Sequence, residues 1–103
     1  MVSSMASRSY LWKAVKLRGN IWRLRRWAKQ QGYVRNTTSN IERWDDPHSG
    51  EWRLKIKREG SIRPGLQPGS RVPRADARIG KGAYINPLTG QTGKDAGTHI
   101  PLT

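Results

Sequence analysis

Asp45, His48 and Glu51 stand three residues apart in RWDDPHSGEWRLK, residues 43–55 of a chain whose charge is otherwise mostly positive. An imidazole takes up and releases a proton near neutral pH, and a carboxylate beside it can act as a base or orient it. RNA can be cut without a metal if one group removes the 2′-hydroxyl proton, a second protonates the leaving 5′-oxygen, and cations stabilise the charged phosphorane between them. Either Glu51 or His48 can be the base and the other the acid, with Asp45 orienting the imidazole. Arg43, Arg53 and Lys55 are close enough in sequence to contact the phosphate. A carboxylate beside His48 would favour the imidazolium and so the acid role. The alternative is plainer: Asp, Pro, Ser and Gly are ordinary turn residues, and DDPHSG can be no more than a polar hairpin tip.

A divalent-ion site built from Asp45, Asp46, His48 and Glu51 is conceivable, since carboxylate and imidazole together bind such ions. It ranks below the metal-free reading because no second histidine lies close by in sequence. No metal and no cofactor is therefore expected. Thr98 and His99 are possible additional catalytic residues, because His99 could complete an acid/base pair with His48; a strand histidine with satisfied bonds is the competing reading. GQTGKD, residues 90–95, has the flavour of a phosphate-binding loop, but its first glycine is misplaced, Asp95 occupies the Ser/Thr position, and no helix is expected after it. It reads as a turn.

The elements that must hold these residues follow from apolar periodicity. Tyr10, Ala14, Leu17, Ile21, Leu24 and Ala28 recur at helical spacing, with Ser7 or Ser9 as a cap and Gly32 as a stop. Gly19 and Asn20 interrupt the run, so one long helix or two short ones fit it. The opposite face carries Lys13, Lys16, Arg18, Arg23, Arg25 and Arg26, of which Arg23 and Arg26 are candidate RNA contacts. After the connector NTTSN, residues 36–40, Trp52, Leu54 and Ile56 alternate as the inner face of a strand. NIERW is its hairpin partner, and DDPHSG is the tip. Residues 60–82, rich in Gly and Pro, read as loop; GAYIN and GTHIPL read as extended pieces flanking a PLTG turn.

The expected fold class is α+β, an N-terminal basic amphipathic helix or two short ones followed by a small twisted antiparallel β-sheet with long Gly/Pro loops. It forms a single domain, 1–103, with a basic helical segment at 1–35 and a β-rich segment at 40–103 that carries the site.

Composition narrows the partners. The chain has 103 residues and a formal net charge of +13, with nine Lys or Arg and no acid in residues 1–41. Such a field draws polyanions, RNA first among them. The absence of Phe and only 18 Leu, Ile and Val leave the five tryptophans to supply much of the core. With no cysteine, neither a disulfide framework nor a thiolate site is available. No apolar run approaches the roughly 18 to 20 residues of a membrane span, and none is expected. Residues 1–31 are Ser-bearing, Arg-rich and free of acid, which overlaps with an organelle transit peptide as well as with a folded helix.

ERWDDPHSGEW resembles the active-site stretch of the colicin-type ribosomal RNases, the cytotoxic nuclease domains of bacteriocins and contact-dependent toxins, whose signature is Trp-Asp, two residues, His, then Gly-Glu. GAYINPLTGQTGK resembles that family's closing segment, a Gly-x-aromatic strand leading into Pro-x-Thr-Gly. The two occur in the family's order and cover about a third of the chain. The resemblance implies a small toxin domain that is secreted or delivered into a target cell. It would act in the cytoplasm as a metal-independent endoribonuclease on ribosomal RNA, leave a 2′,3′-cyclic phosphate and be held inactive by an acidic immunity protein. Asp45, His48 and Glu51 take the family's Asp, His and post-Gly glutamate. The chain departs from the pattern in Ser49, inserted between His48 and Gly50, in Arg53, which stands where the family has a further glutamate, and in a longer stretch before the closing segment. The non-enzymatic rival is a basic RNA-binding or ribosome-associated protein. A membrane-active basic helix with a polar tail is a third class.

Overall fold

The computed structural model describes residues 19–37, 41–58 and 72–103. In chain order these form helix α1 (Ile21–Gln30), strands β1 (Val34–Asn36), β2 (Glu42–Asp45), β3 (Trp52–Lys57), β4 (Arg74–Gly80) and β5 (Ala83–Tyr84), a single-turn helix α2 (Lys94–Gly97), and β6 (Ile100–Pro101). All strand pairs are antiparallel, in the order β1-β2-β3-β4-β5, with β6 also on β4. The class is a small α+β domain. The helical spacing at Tyr10, Ala14 and Leu17, the Ser7 and Ser9 caps, the NTTSN residues 38–40 and the loop at 59–71 lie outside the described residues.

Helix α1 begins directly after Gly19-Asn20. Asn20 does not cap it with its side chain. Its Nδ2 donates to the Pro101 carbonyl at 2.7 Å and its Oδ1 accepts from the Thr103 N–H at 3.1 Å, tying the helix start to the last strand. The helix ends at Gln30 and the chain turns away at Gly32, whose φ of 82° suits a residue without Cβ. Leu24 and Ala28 are buried as their spacing requires, and they pack on Trp44, Leu54, Ile56, Ala75, Ala77 and Ile100. Cross-strand pairing puts Trp44, Leu54 and Ala77 in one row and Ile56 and Ala75 in the next, so one sheet face is the core and carries the helix.

Three expectations are corrected here. Residues 74–80 are not loop but a strand inside the sheet, because Arg74, Asp76 and Arg78 alternate with Ala75, Ala77 and Ile79, a period-two pattern whose buried apolar members are both alanines while Ile79 is exposed. A short helix does follow GQTG, at Lys94–Gly97; it has a single turn and Gly97 tucked against the Ile85 backbone and Tyr84. Trp52 does not share a face with Leu54 and Ile56. A β-bulge shifts the register so that Trp44 pairs with Leu54 but Asp45 with Trp52, leaving Arg53 as the extra residue and turning Trp52 to the side away from the helix.

One acid belongs to the core face. Glu42 pairs across from Ile56, and its carboxylate accepts from Arg25 Nη2 at 2.6 Å, Arg25 Nε at 2.8 Å and Trp44 Nε1 at 3.0 Å. Arg25, placed by its spacing on the solvent face of α1, thus turns back to the sheet. Burial pushes the Glu42 carboxyl up, but the Arg25 and Trp44 donors and the charges of Arg25 and Arg35 outweigh it and hold the group below its ordinary value. A carboxyl lowered on folding stabilises the protein above the unfolded-state value, and this contribution disappears as pH falls through the folded-state value. Glu42→Gln should lower stability at neutral pH by about 2 kcal/mol, since it removes the charge and replaces one of the two acceptor oxygens of a bidentate arginine with an NH2 donor. It should also flatten the acid limb of a melting-temperature profile run between neutral and acid pH. An unchanged acid limb would show that the pair contributes nothing to acid unfolding.

Candidate functional site

The hairpin between β2 and β3 closes as its residues dictate. The Asp46 N–H donates to the Glu51 carbonyl at 2.9 Å and the Gly50 N–H to the Asp46 carbonyl at 2.8 Å. Gly50 supplies the required φ of 74°. Asp46 Oδ1 accepts the His48 N–H at 2.8 Å, an Asx-turn. The Asp46 carboxyl is held below its ordinary range chiefly by that His48 N–H; burial opposes it, and the Ser49 N–H and the charges of Arg53 and His48 add to the lowering.

Arg53, the bulge residue, is the tip's internal brace. It is buried, and its guanidinium reaches Glu51 at 3.2 Å, Ser49 Oγ at 3.3 Å and Asp46 at 3.4 Å. It also acts on Tyr33, whose hydroxyl is raised by burial and pulled back by the Arg53 charge. Arg53 therefore stands with the core, bonded within the tip, and does not present a free guanidinium at the surface as the expected phosphate contact requires.

The tip does not assemble the expected proton relay. Asp45 Oδ1 accepts from Arg43 Nε at 2.6 Å and its Oδ2 from Asn36 Nδ2 at 2.9 Å, Glu51 is engaged by Arg53, and neither carboxylate is bonded to His48. The cause is local: strand alternation aims Asp45 at the side away from the helix, while Asp46 turns back to close the loop. His48 is exposed at the tip. His99 is not at the tip. Its N–H donates to Asp76 Oδ1 at 2.9 Å, beside β4, and its backbone adopts φ of 52°. The Thr98 hydroxyl is used locally, donating to the Lys94 carbonyl at 2.5 Å. Among the described residues no three of His, Cys, Asp and Glu converge as metal ligands, Asp45, Asp46, His48 and Glu51 included.

What the sheet does assemble is a row of cations. Arg43 pairs with Lys55 and Lys55 with Asp76 across three strands, and Lys57 and Arg78 lie on the same face. Trp52, turned onto this face by the bulge, has the Lys55 ammonium 4.4 Å and the Arg78 guanidinium 4.0 Å from its ring centroid, cation–π distances. Tyr84 stands 6.2 Å away, tilted. Arg78 Nε donates to the Trp52 carbonyl at 2.8 Å, and Lys57 Nζ to Asp76 at 2.9 Å. Arg23 and Arg26 are exposed on α1, on the other side of the sheet, so they do not join Arg43 and Lys55 in one surface. Sequence reasoning missed Lys57, Arg78, Asp76 and Tyr84 as members of this face; the signal for Asp76 and Arg78 was the alternation in RADAR, once that segment is recognised as a strand.

The fold and this face define a small α+β domain with a cationic, aromatic-centred sheet surface. Comparison with known proteins yields no matching family model, no matching curated protein and no matching solved structure. Among the described residues no helix is long and apolar enough to cross a membrane.

Proposed function

We propose that this protein acts on RNA, holding its phosphate backbone against the face of the sheet turned away from α1. One observation carries the reading: Arg43, Lys55, Lys57 and Arg78 share that face, with Lys55 and Arg78 against Trp52, more positive charge than Asp45 and Asp76 can neutralise there. Polyanion binding follows from such a surface. RNA in particular follows from the resemblance to the colicin-type ribosomal RNases. In support, the two resembling stretches meet in space, with Trp52 of the first 6.2 Å from Tyr84 of the second.

Cleavage is a second reading, favoured by the exposure of His48 on the braced tip that joins β2 to β3, the strands bearing Arg43 and Lys55. In it, a base takes the 2′-hydroxyl proton, O2′ attacks phosphorus, and the P–O5′ bond breaks. The imidazolium of His48 gives its proton to O5′, leaving a 2′,3′-cyclic phosphate and a 5′-hydroxyl. If Glu51 is the base, it must first leave Arg53. The domain would then be a delivered endoribonuclease toxin with an acidic immunity protein as its partner.

The test is incubation with ribosomes and with total RNA in excess chelator. Cleavage predicts discrete fragments ending in a cyclic phosphate, and a loss of about 100-fold or more in His48→Ala with RNA affinity kept within about twofold. Salt-dependent binding with no fragments leaves a non-enzymatic RNA-binding protein. No binding to RNA at all removes the proposal.

A further inference from the structure

We propose that this face contains a discrete seat for one phosphate group, centred on the Lys55 ammonium and walled by Arg43, Lys57 and Arg78. The inference rests on the RNA reading and sharpens it by naming the group that is gripped and the atoms that grip it.

The walls are fixed before any anion arrives. Arg43 is held by Asp45 at 2.6 Å, Lys57 by Asp76 at 2.9 Å, and Arg78 by the Trp52 carbonyl at 2.8 Å through Nε, which leaves the Nη groups of Arg78 to donate elsewhere. Lys55 differs from all three. Among the described residues no carboxylate bonds it; its cross-strand neighbour Asp76 accepts instead from Lys57 at Oδ2 and from the His99 N–H at Oδ1. The ammonium is instead kept in place by its contact with the Trp52 ring. It is half-buried, and burial first, then the charges of Lys57, Arg43 and Arg78, lower its pKa, with Asp76 opposing them. Several cations kept this close repel one another, and anchored donors around an uncompensated ammonium are the arrangement that an incoming phosphate relieves at little reorganisation. A mononucleotide's terminal phosphate, an internal phosphodiester and inorganic phosphate share the chemistry the seat would take.

Inorganic phosphate is the first probe, titrated into the full chain at low ionic strength and followed by tryptophan fluorescence and calorimetry. The wild type should bind one phosphate saturably. Lys55→Met, which keeps the stem against Trp52, should bind at least tenfold more weakly. Lys55→Arg should restore most of the affinity, and Lys94→Met, an exposed lysine on α2, should be unchanged within twofold. Absence of saturable binding by the wild type, equal binding by Lys55→Met, or an equal loss in Lys94→Met would overturn the seat; thermal melts of the variants separate misfolding from lost binding, and the Arg rescue covers a Met variant that does not fold. A second arm uses a single-stranded oligoribonucleotide with and without a terminal phosphate. Loss of the salt slope by about 0.7 in Lys55→Met with either oligonucleotide marks an internal phosphodiester, and loss only with the phosphorylated one marks a terminal phosphate. Phosphate binding without RNA binding by the wild type would leave the seat standing and remove the RNA reading. RNA binding without phosphate binding would do the reverse.

Discussion

Reversing Arg43, Lys55 and Arg78 together to glutamate should weaken RNA binding by about three orders of magnitude at 0.1 M salt, with each reversal costing about tenfold, or roughly 1.4 kcal/mol. The size follows from what each change does: it removes one phosphate contact and puts a carboxylate where phosphate oxygens would lie. Total charge alone cannot explain the expected result, and a matched variant shows why. Arg23→Glu, Arg26→Glu and Lys29→Glu on α1 change the net charge by the same six units, yet these residues lie on the helix packed against the opposite side of the sheet. Exposed charges more than about 10 Å apart are largely screened at this ionic strength. The helix variant should therefore lose less than tenfold. Fluorescence anisotropy with a labelled single strand over a series of salt concentrations measures both, with melting curves to confirm folding. If the helix variant loses as much as the sheet variant, the basic helix shares the work and the sheet face is not the binding surface.

How much of this could be read beforehand depends on how loudly each residue announces its neighbours. Leu24 and Ala28 were legible because helical spacing speaks within seven residues. Glu42–Asp45 against Trp52–Lys57, with DDPHSG between them, was legible because proline and glycine mark a tip between two alternating runs. Arg74–Gly80 was not, since alanines give alternation too little hydrophobic contrast and the flanking prolines and glycines argue for loop. Trp52 was misplaced for a deeper reason. Strict alternation assigns it to the core, and the single inserted residue at Arg53 that reverses its face has no signature in a lone sequence. That reversal also decides the site: it carries Trp52 to Lys55 and Arg78, and it draws Arg53 inward to hold Asp46, Ser49 and Glu51. The same three-residue spacing that suggests a relay among Asp45, His48 and Glu51 says nothing about which arginine each carboxylate will prefer, and Arg43 and Arg53 lie closer in the fold than the imidazole does.

The cationic face exists only while the sheet beneath it is intact, and Leu54 is one of the fully buried side chains that hold it so. It is fully buried, with Trp44 and Ala77 as its cross-strand neighbours and α1 packed over the same face. Leu54→Ala cuts the isobutyl side chain back to a methyl and leaves a cavity. Buried Leu→Ala changes cost about 2 to 5 kcal/mol, with the lower values where neighbours can move in. Here Ala75, Ala77 and Ala28 have no length to extend into the gap, and Trp44 is tethered through its Nε1 to Glu42 at 3.0 Å. The cost should therefore fall near the upper end, about 4 kcal/mol. A single domain of this size has stability of about 5 to 10 kcal/mol, so most of the smaller value would be lost and the melting temperature should drop by on the order of 20 °C. Val34→Ala makes the comparison, since Val34 is 56% exposed on the edge strand β1 and its truncation should cost less than about 0.5 kcal/mol. Thermal and urea unfolding followed by tryptophan fluorescence measure both. A Leu54→Ala protein within about 1 kcal/mol of the wild type would mean that the sheet and helix are not packed through this residue. RNA binding by the variant should then be measured below its own midpoint. Affinity that recovers on cooling would assign the loss to folding, because Leu54 lies on the buried face and contributes no charge to the surface opposite.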